Sequence, residues 1–274
     1  MCHSAFVPEP SATDQAGVVI DGVWPDHPEL VRLYDAENSG RDDHEFYLAL
    51  IAREGRGGPV RVVDIGCGTG AFAVTAAGLG HEVIGVDPAG ASIDFARDRP
   101  GGGDVTWLLG EAGDLPTAWA DVALMMGHVA QYFVGDDEWA GLLGAAAEAL
   151  RPGGLLAFEV RDPRQRGWQS WATPPRNFEI PGGSFQSWCE PPVTSTSASG
   201  ATITTTTGHT ILPDGRHLIV TERLVFRSRD QVEAALRGAG FDIERIDGTW
   251  AGDAVTETTP ELIVQARRPA NPTV

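Results

Sequence analysis

The stretch Val62-Val63-Asp64-Ile65-Gly66-Cys67-Gly68-Thr69-Gly70 joins an apolar run to three glycines at alternate positions. Apolar residues around one acid read as a strand of a parallel sheet. The glycines then turn the chain while leaving no Cβ between backbone and ligand. The following segment, Ala71 to Gly80, has helical spacing and ends in glycine, so the loop feeds a helix start whose N–H groups have no intrahelical partner. Strand, glycine loop and helix start together form the arrangement of a nucleotide site.

Working outward, strand-like and helix-like segments alternate from Arg61 to about Val160. Strands are predicted at 61–65, 81–86 with Asp87 at the end, 105–109, 122–126 and 155–160. The clearest helix runs from Trp139 to Leu150 and stops at the turn Arg151-Pro152-Gly153-Gly154. Such alternation implies right-handed crossovers and a parallel sheet covered on both faces. Two helices are expected between Glu29 and Glu54, where Leu30, Leu33, Tyr34, Phe46, Tyr47, Leu50 and Ile51 recur at helical spacing around Asn38-Ser39-Gly40.

Beyond Val160 the texture changes to prolines and tryptophans. Two β-branched stretches, Ala201 to Ile211 and His217 to Phe226, flank the hairpin turn Pro213-Asp214-Gly215-Arg216. An amphipathic helix over Ser228 to Gly240 and strands at 241–246 and 261–266 close the chain. The expected fold is α/β: a Rossmann-like, doubly wound, mostly parallel seven-stranded sheet with a small antiparallel β lid inserted after the fifth strand. The expected units are an irregular segment over 1–28, a core over 29–160, the lid and substrate region over 161–226, and a final helix and strands over 227–274.

The formal charge of the 274 residues is −18, and the arginines are scattered, so a phosphate backbone would be repelled and nucleic acid is not an expected partner. All basic residues are arginine. Without lysine there is no Schiff-base chemistry from this chain and no phosphate-gripping P-loop lysine. Cys2, Cys67 and Cys189 form neither a CxxC pair nor a disulfide framework, which points to a reducing cytoplasm and to no metal site. No basic stretch leads into an apolar run near Met1, and no run of roughly 18 apolar residues occurs, so no membrane partner is expected.

Spacing separates two cofactor classes. Dinucleotide sites favour G-x-G-x-x-G, whereas this loop reads G-x-G-x-G behind Asp64, a carboxylate suited to a cationic ligand. Here the sequence resembles the class I S-adenosylmethionine (SAM) dependent methyltransferases, over roughly residues 30–160 plus the terminal helix and strands. The resemblance implies that Asp64 and the loop backbone of Gly66, Cys67, Gly68 and Gly70 hold the methionine part of SAM. It implies that Asp87 accepts hydrogen bonds from the ribose hydroxyls and that Pro88 lies against the adenine. The segment Leu109-Gly110-Glu111-Ala112-Gly113-Asp114-Leu115-Pro116 resembles the family's adenine border, giving roles to Glu111 and Ala112, with Gly127 bordering the cofactor after the fourth strand. Glu111 stands where the family more often has aspartate, and Ala89 where it often has serine. Cys67 has no nearby sequence partner to activate its thiol.

Reacting groups of an open α/β sheet lie at the carboxyl ends of its strands. His128, in Gly127-His128-Val129-Ala130-Gln131-Tyr132, reads either as a proton acceptor or orienting group for the methyl acceptor, or as a structural histidine. Arg161 reads either as a ligand for an anionic or carbonyl group, or as the partner of Asp162 or Glu159. Trp168, Trp171 and Trp188 read as the lid's own core or as walls of an apolar pocket. Tyr34-Asp35 resembles the tyrosine-aspartate pair of several small-molecule members of the family, whose tyrosine reaches the active site, so Tyr34 reads either as an active-site phenol or as a core residue. The expected function is SAM-dependent methylation of a small molecule at nitrogen, oxygen or carbon. The rivals are a SAM-binding protein without methyl transfer and an NAD-dependent oxidoreductase.

Overall fold

The computed structural model describes residues 18–20, 26–38 and 43–270. Most of the expected irregular segment over 1–28 lies outside the described residues.

A seven-stranded sheet carries the fold. Its strands are β2 (Arg61–Ile65), β3 (Glu82–Asp87), β4 (Thr106–Leu109), β5 (Ala120–Met125), β6 (Leu150–Arg161), β12 (Asp242–Asp247) and β13 (Glu261–Arg267). Their spatial order is β12-β13-β6-β5-β2-β3-β4. Every neighbouring pair from β6 to β4 is parallel, and β13 alone runs against its neighbours. The order reverses between β2 and β5, so the ends of these two strands open a crevice, the place where open α/β sheets bind ligands.

Among the described residues six α-helices pack around the strands: α1 (Pro28–Glu37), α2 (Asp43–Glu54), α3 (Ala71–Gly78), α4 (Gly90–Asp98), α5 (Asp136–Ala149) and α6 (Arg229–Gly238). The alternation of side chains along a strand splits the core into two layers. Val63, Ile65, Ala123 and Met125 face Leu143, Ala146 and Leu236, whereas Val62, Val122 and Leu124 face Tyr47, Ile51 and Phe72. Acids begin α5, where Glu138 also caps the Gly135 N–H at 3.0 Å, and Ser228 and Gln231 cap α6 reciprocally.

The second sheet has six strands rather than a single hairpin. It contains β7 (Thr173–Ile180), β8 (Gly183–Cys189), β9 (Val193–Thr196), β10 (Thr202–Ile211) and β11 (His217–Phe226), all antiparallel. Its edge is β1 (Val18–Ile20), which runs parallel to β11. That pairing corrects the reading of residues 18–20 as irregular: a three-residue strand finds its register only on a partner two hundred positions away. Leu218, Leu224 and Phe226 of β11 turn inward, and Leu30 and Leu33 of α1 pack with Leu218, Phe185 and Leu212. Helix α1 is thereby held between the second sheet and the core.

Candidate functional site

The glycine loop is left-handed at all three alternate positions, with φ of 71° at Gly66, 52° at Gly68 and 74° at Gly70. The outer two glycines also allow close packing. A Cβ on Gly66 would stand 2.6 Å from Val129, and one on Gly70 would stand 2.5 Å from the Trp107 ring. Gly68 differs, because a Cβ there would meet nothing within 4 Å. The loop is pinned from below by the Gly66 and Cys67 N–H groups, which donate to the Val86 carbonyl at 2.8 and 3.1 Å. Its open middle therefore faces a space, and α3 starts there with no side-chain cap on its first N–H groups.

Asp87 fastens this loop to the next crossover. One carboxylate oxygen accepts from the Gly68 N–H at 2.9 Å and the other from the Ala89 N–H at 2.9 Å. Burial pushes its pKa up, and the two backbone donors pull it back. The carboxylate keeps further lone pairs for hydroxyl donors.

The space above the loop is a cavity of about 300 Å³ lined by Asp64, Gly66, Cys67, Gly68, Thr69, Ala71, Phe72, Thr75 and Met126 from the core. Tyr34, Asp35, Asn38, His44 and Arg99 close it from the side. Arg99 bonds the Asp35 carboxylate and donates to the Thr69 carbonyl at 3.0 Å, which clamps α1 onto the loop. Asp26 adds a second tie by accepting from the Ala91 N–H at 2.6 Å at the start of α4. Sequence reasoning missed Arg99, whose partners lie thirty and sixty-four positions away. The Cys67 thiol is pushed well up by burial and by Asp64 and Asp87, which suits a packed side chain and not a nucleophile.

The other predicted cofactor residues spread along the crevice. Pro88 is exposed beside Asp87, and Gly127 takes a φ of 69° in the turn after β5. Glu111 is exposed, its N–H donating to Asp114 at 2.9 Å, and Ala112 is buried in the core. None of these four lines the 300 Å³ cavity.

At the ends of β5 and β6 the structure builds a carboxylate network. Glu159, fully buried, accepts from the Tyr47 hydroxyl and from the His128 N–H at 2.8 Å. The His128 ring nitrogen Nε2 lies 3.1 Å from both carboxylate oxygens of Glu261. His128 thus sits in the left-handed region with ring and backbone both held, outside the cavity that Tyr34 lines. Arg161 donates to the Gln131 carbonyl oxygen at 3.1 Å and lies over Trp171 at 5.2 Å. The two acids named beside it go elsewhere: Asp162 pairs with Arg164 at 2.6 Å, and Glu159 serves Tyr47 and His128.

The tryptophans divide between the faces of the second sheet. Trp168 and Trp171 pack on Phe226 with ring centroids 4.5 and 5.8 Å apart, whereas Trp188 stacks on His209 on the opposite face. Beside Phe226 stands a pair that sequence reasoning did not single out. The Tyr132 hydroxyl donates to Glu222 at 3.3 Å, and Tyr34 lies within electrostatic reach of Tyr132. A second cavity, of about 480 Å³, lies between the end of α1 and strands β7 and β8, lined by Ala36, Glu37, Thr173, Arg176, Phe178, Glu179, Ile180 and Ser187.

A family model described as a methyltransferase domain matches residues 62–154, which contain the loop, Asp87 and the ends of β3 to β5. A cypemycin N-terminal methyltransferase of a Streptomyces species is 25% identical over 214 residues, covering 76% of this chain and 82% of that protein. The chain is a SAM-dependent methyltransferase. SAM is the cofactor of this methyltransferase, and its residues fit that ligand: an uncapped helix start, an open Gly68 and a backbone-held carboxylate at Asp87. The fold of the methyltransferase is also that of the CcbJ methyltransferase from Streptomyces caelestis, at 18% identity and a TM-score of 0.67 over 88% of this chain and 96% of the other. The sugar N-methyltransferase KedS8 from Streptoalloteichus shares it too, at 16% identity and a TM-score of 0.64 over 98% and 100%. Against other curated methyltransferases the chain spans between 22% and 61% of their length.

Proposed function

We propose that this methyltransferase modifies a small-molecule acceptor bound between α1 and the inner face of the second sheet. The observation that carries this reading is the pair of cavities that share one helix turn. Tyr34 and Asp35 line the cavity over the glycine loop, and the next two residues, Ala36 and Glu37, line the 480 Å³ cavity against β7 and β8. Donor and acceptor compartments of this size suit two small ligands meeting at Tyr34.

When bound, SAM supplies a methyl carbon already activated by its sulfonium. The chain's residues then have to hold, align and shield. In our reading the backbone from Gly66 to Gly70 and Asp64 hold the methionine part, and Asp87 takes the ribose hydroxyls. Pro88, Glu111, Ala112 and Gly127 border the adenine. Tyr34 lies at the reacting end, while Arg161, fixed by Gln131, presents its guanidinium toward the acceptor. His128 acts as a positioning residue, since Glu159 and Glu261 fix it in the turn that leads to Gln131 and Tyr132. Alignment of two reactants in this way is worth roughly 7–11 kcal/mol in well-oriented cases.

The charge of −18 supports an acceptor other than nucleic acid, and the free thiols of Cys67 and Cys189 support a reducing cytoplasm. No helix among the described residues is long and apolar enough to cross a membrane. Incubation with methyl-labelled SAM and either a low-molecular-weight extract fraction, nucleic acid or denatured protein tests the proposal. Label is expected in the small-molecule fraction; incorporation into the macromolecules alone would refute it.

A further inference from the structure

The inner face of β11 reads Leu218, Val220, Glu222, Leu224 and Phe226, and the middle member is an acid. A carboxylate in an apolar row costs desolvation energy, so its place asks for a cause other than packing. Its surroundings are defined on every side. Thr206 stands opposite on β10, the Tyr132 hydroxyl donates to it from the turn after β5, and Cys189 of β8 lies within its electrostatic reach. Arg161 and Tyr34 complete the charged and titratable groups around the Tyr132–Glu222 pair. Arg223, the neighbour on the same strand, turns to the opposite, exposed face.

Glu222 is also linked toward both cavities. From the 480 Å³ cavity, the Thr173 hydroxyl accepts from the Cys189 N–H at 3.0 Å. Cys189 and Glu222 lie within electrostatic reach of each other, Glu222 accepts from Tyr132, and Tyr132 lies within electrostatic reach of Tyr34, which lines the cofactor cavity. A carboxylate on the inner face, linked to groups of both compartments, is placed to meet the attacking atom of an acceptor that extends from one to the other.

We propose that Glu222, held by Tyr132, is the acceptor-recognition residue of this methyltransferase, and that it selects an amine: it binds the protonated nitrogen and takes its proton before methyl transfer. The inference rests on the small-molecule reading above. In the step, one N–H bond of the ammonium breaks and its proton passes to a Glu222 oxygen. The nitrogen keeps the electron pair, which forms the new bond to the methyl carbon as the carbon–sulfur pair leaves with sulfur. The proton on Glu222 is released to water with the product. A hydroxyl acceptor offers no cation to this carboxylate, and a carboxylic acid would be repelled by it. Burial pushes Glu222 up from the ordinary carboxylate range, which makes it the stronger base, while burial and Glu222 itself hold the Tyr132 phenol well up and therefore protonated as a donor.

The probes are amino hexoses and dipeptides with free N-termini, each paired with its hydroxy or N-acetyl counterpart. They are titrated into the complex with demethylated cofactor and followed by NMR, and each is also offered with methyl-labelled SAM. Saturable shifts at Tyr132 and Leu224 are expected with amine members only, and Glu222→Gln is expected to weaken them at least tenfold. In wild type, turnover of a reacting amine should rise with pH along a limb set by Glu222; Glu222→Gln should lose at least a hundredfold in turnover and that limb, with SAM affinity within twofold of wild type. Glu222→Asp should restore part of the turnover. Saturable shifts with no amine probe, shifts equally strong with the capped probes, or wild-type behaviour of Glu222→Gln would overturn the inference while leaving the small-molecule reading intact. Loss of that reading shows separately, as labelling confined to macromolecules.

Discussion

The two halves of this site are built by different means. On the donor side, the ligand surface is backbone: three left-handed glycines, an uncapped helix start and one carboxylate fixed by two N–H groups. On the proposed acceptor side it is side chains gathered from α1, the turn after β5, β8 and β11, elements far apart in the chain. Backbone shape is dictated by residues a few positions apart, whereas the acceptor wall depends on how two sheets come together. The donor half is therefore readable and constrained, and the acceptor half is free to vary.

The largest expected effect breaks the donor half alone. Asp87→Ala removes the acceptor of the Gly68 and Ala89 N–H groups together with the proposed ribose partner, and charge-assisted hydrogen bonds of this kind are worth about 1.5–3 kcal/mol each. SAM affinity should fall at least a hundredfold by calorimetry, with the fold retained by circular dichroism.

The glycines sharpen the comparison within the loop. Gly66→Ala puts a methyl 2.6 Å from Val129 at a positive φ, so it should cost about 2–4 kcal/mol of stability in thermal unfolding. Gly68→Ala meets open space, so it should lose only about 1–2 kcal/mol for its φ, yet weaken SAM binding tenfold or more because the methyl enters the ligand's place. Equal losses of stability in the two variants would show that Gly68 packs like Gly66.

Between the halves sits the buried Glu159. Tyr47→Phe takes one donor from a carboxylate with no access to water and should destabilise the protein by about 2–3 kcal/mol, read as a lowered midpoint in denaturant. It should lower turnover less than Glu222→Gln does, since Glu159 reaches the site only through His128.

The smallest effect is a pH dependence on the acceptor side. Glu222 binds its proton more tightly folded than unfolded, so its contribution to stability is present at acid pH and is lost as pH rises from 4.5 through the folded value. Wild type should therefore lose stability relative to Glu222→Gln as pH rises through this range. A gap that widens in the opposite direction would place a cation beside the carboxylate, and no pH-dependent gap would place it in a solvated setting.

The same contrast explains what could be read from the chain. Strands β2 to β5 fall within two residues of their expected places because each ends in a glycine or acid signal that acts locally, whereas β6 begins at Leu150 and takes in residues 151–154, which were expected as a turn. Strands β7 and β8 went unread because Pro174, Pro175 and the tryptophans interrupt the alternation, and the β7 register shifts between Thr173 and Arg176. Tyr34, Asp64 and the loop glycines do meet in one cavity, as the resemblance implied. Arg99 and Glu222 were missed, and Glu159 was paired with Arg161 instead of Tyr47 and His128, because their partners lie thirty or more positions away. Glu222 nevertheless left a local trace: an acid at the inward phase of an alternating strand. An inward acid on a strand next to an expected cavity is a signal to search for.

The account separates a donor half keyed on Asp87 from an acceptor half keyed on Glu222, and one paired calorimetric titration of SAM into the two variants tests it most directly. The account predicts that Asp87→Ala loses SAM binding and that Glu222→Gln keeps the wild-type affinity within twofold. Wild-type affinity in Asp87→Ala, or its loss in Glu222→Gln, would contradict it.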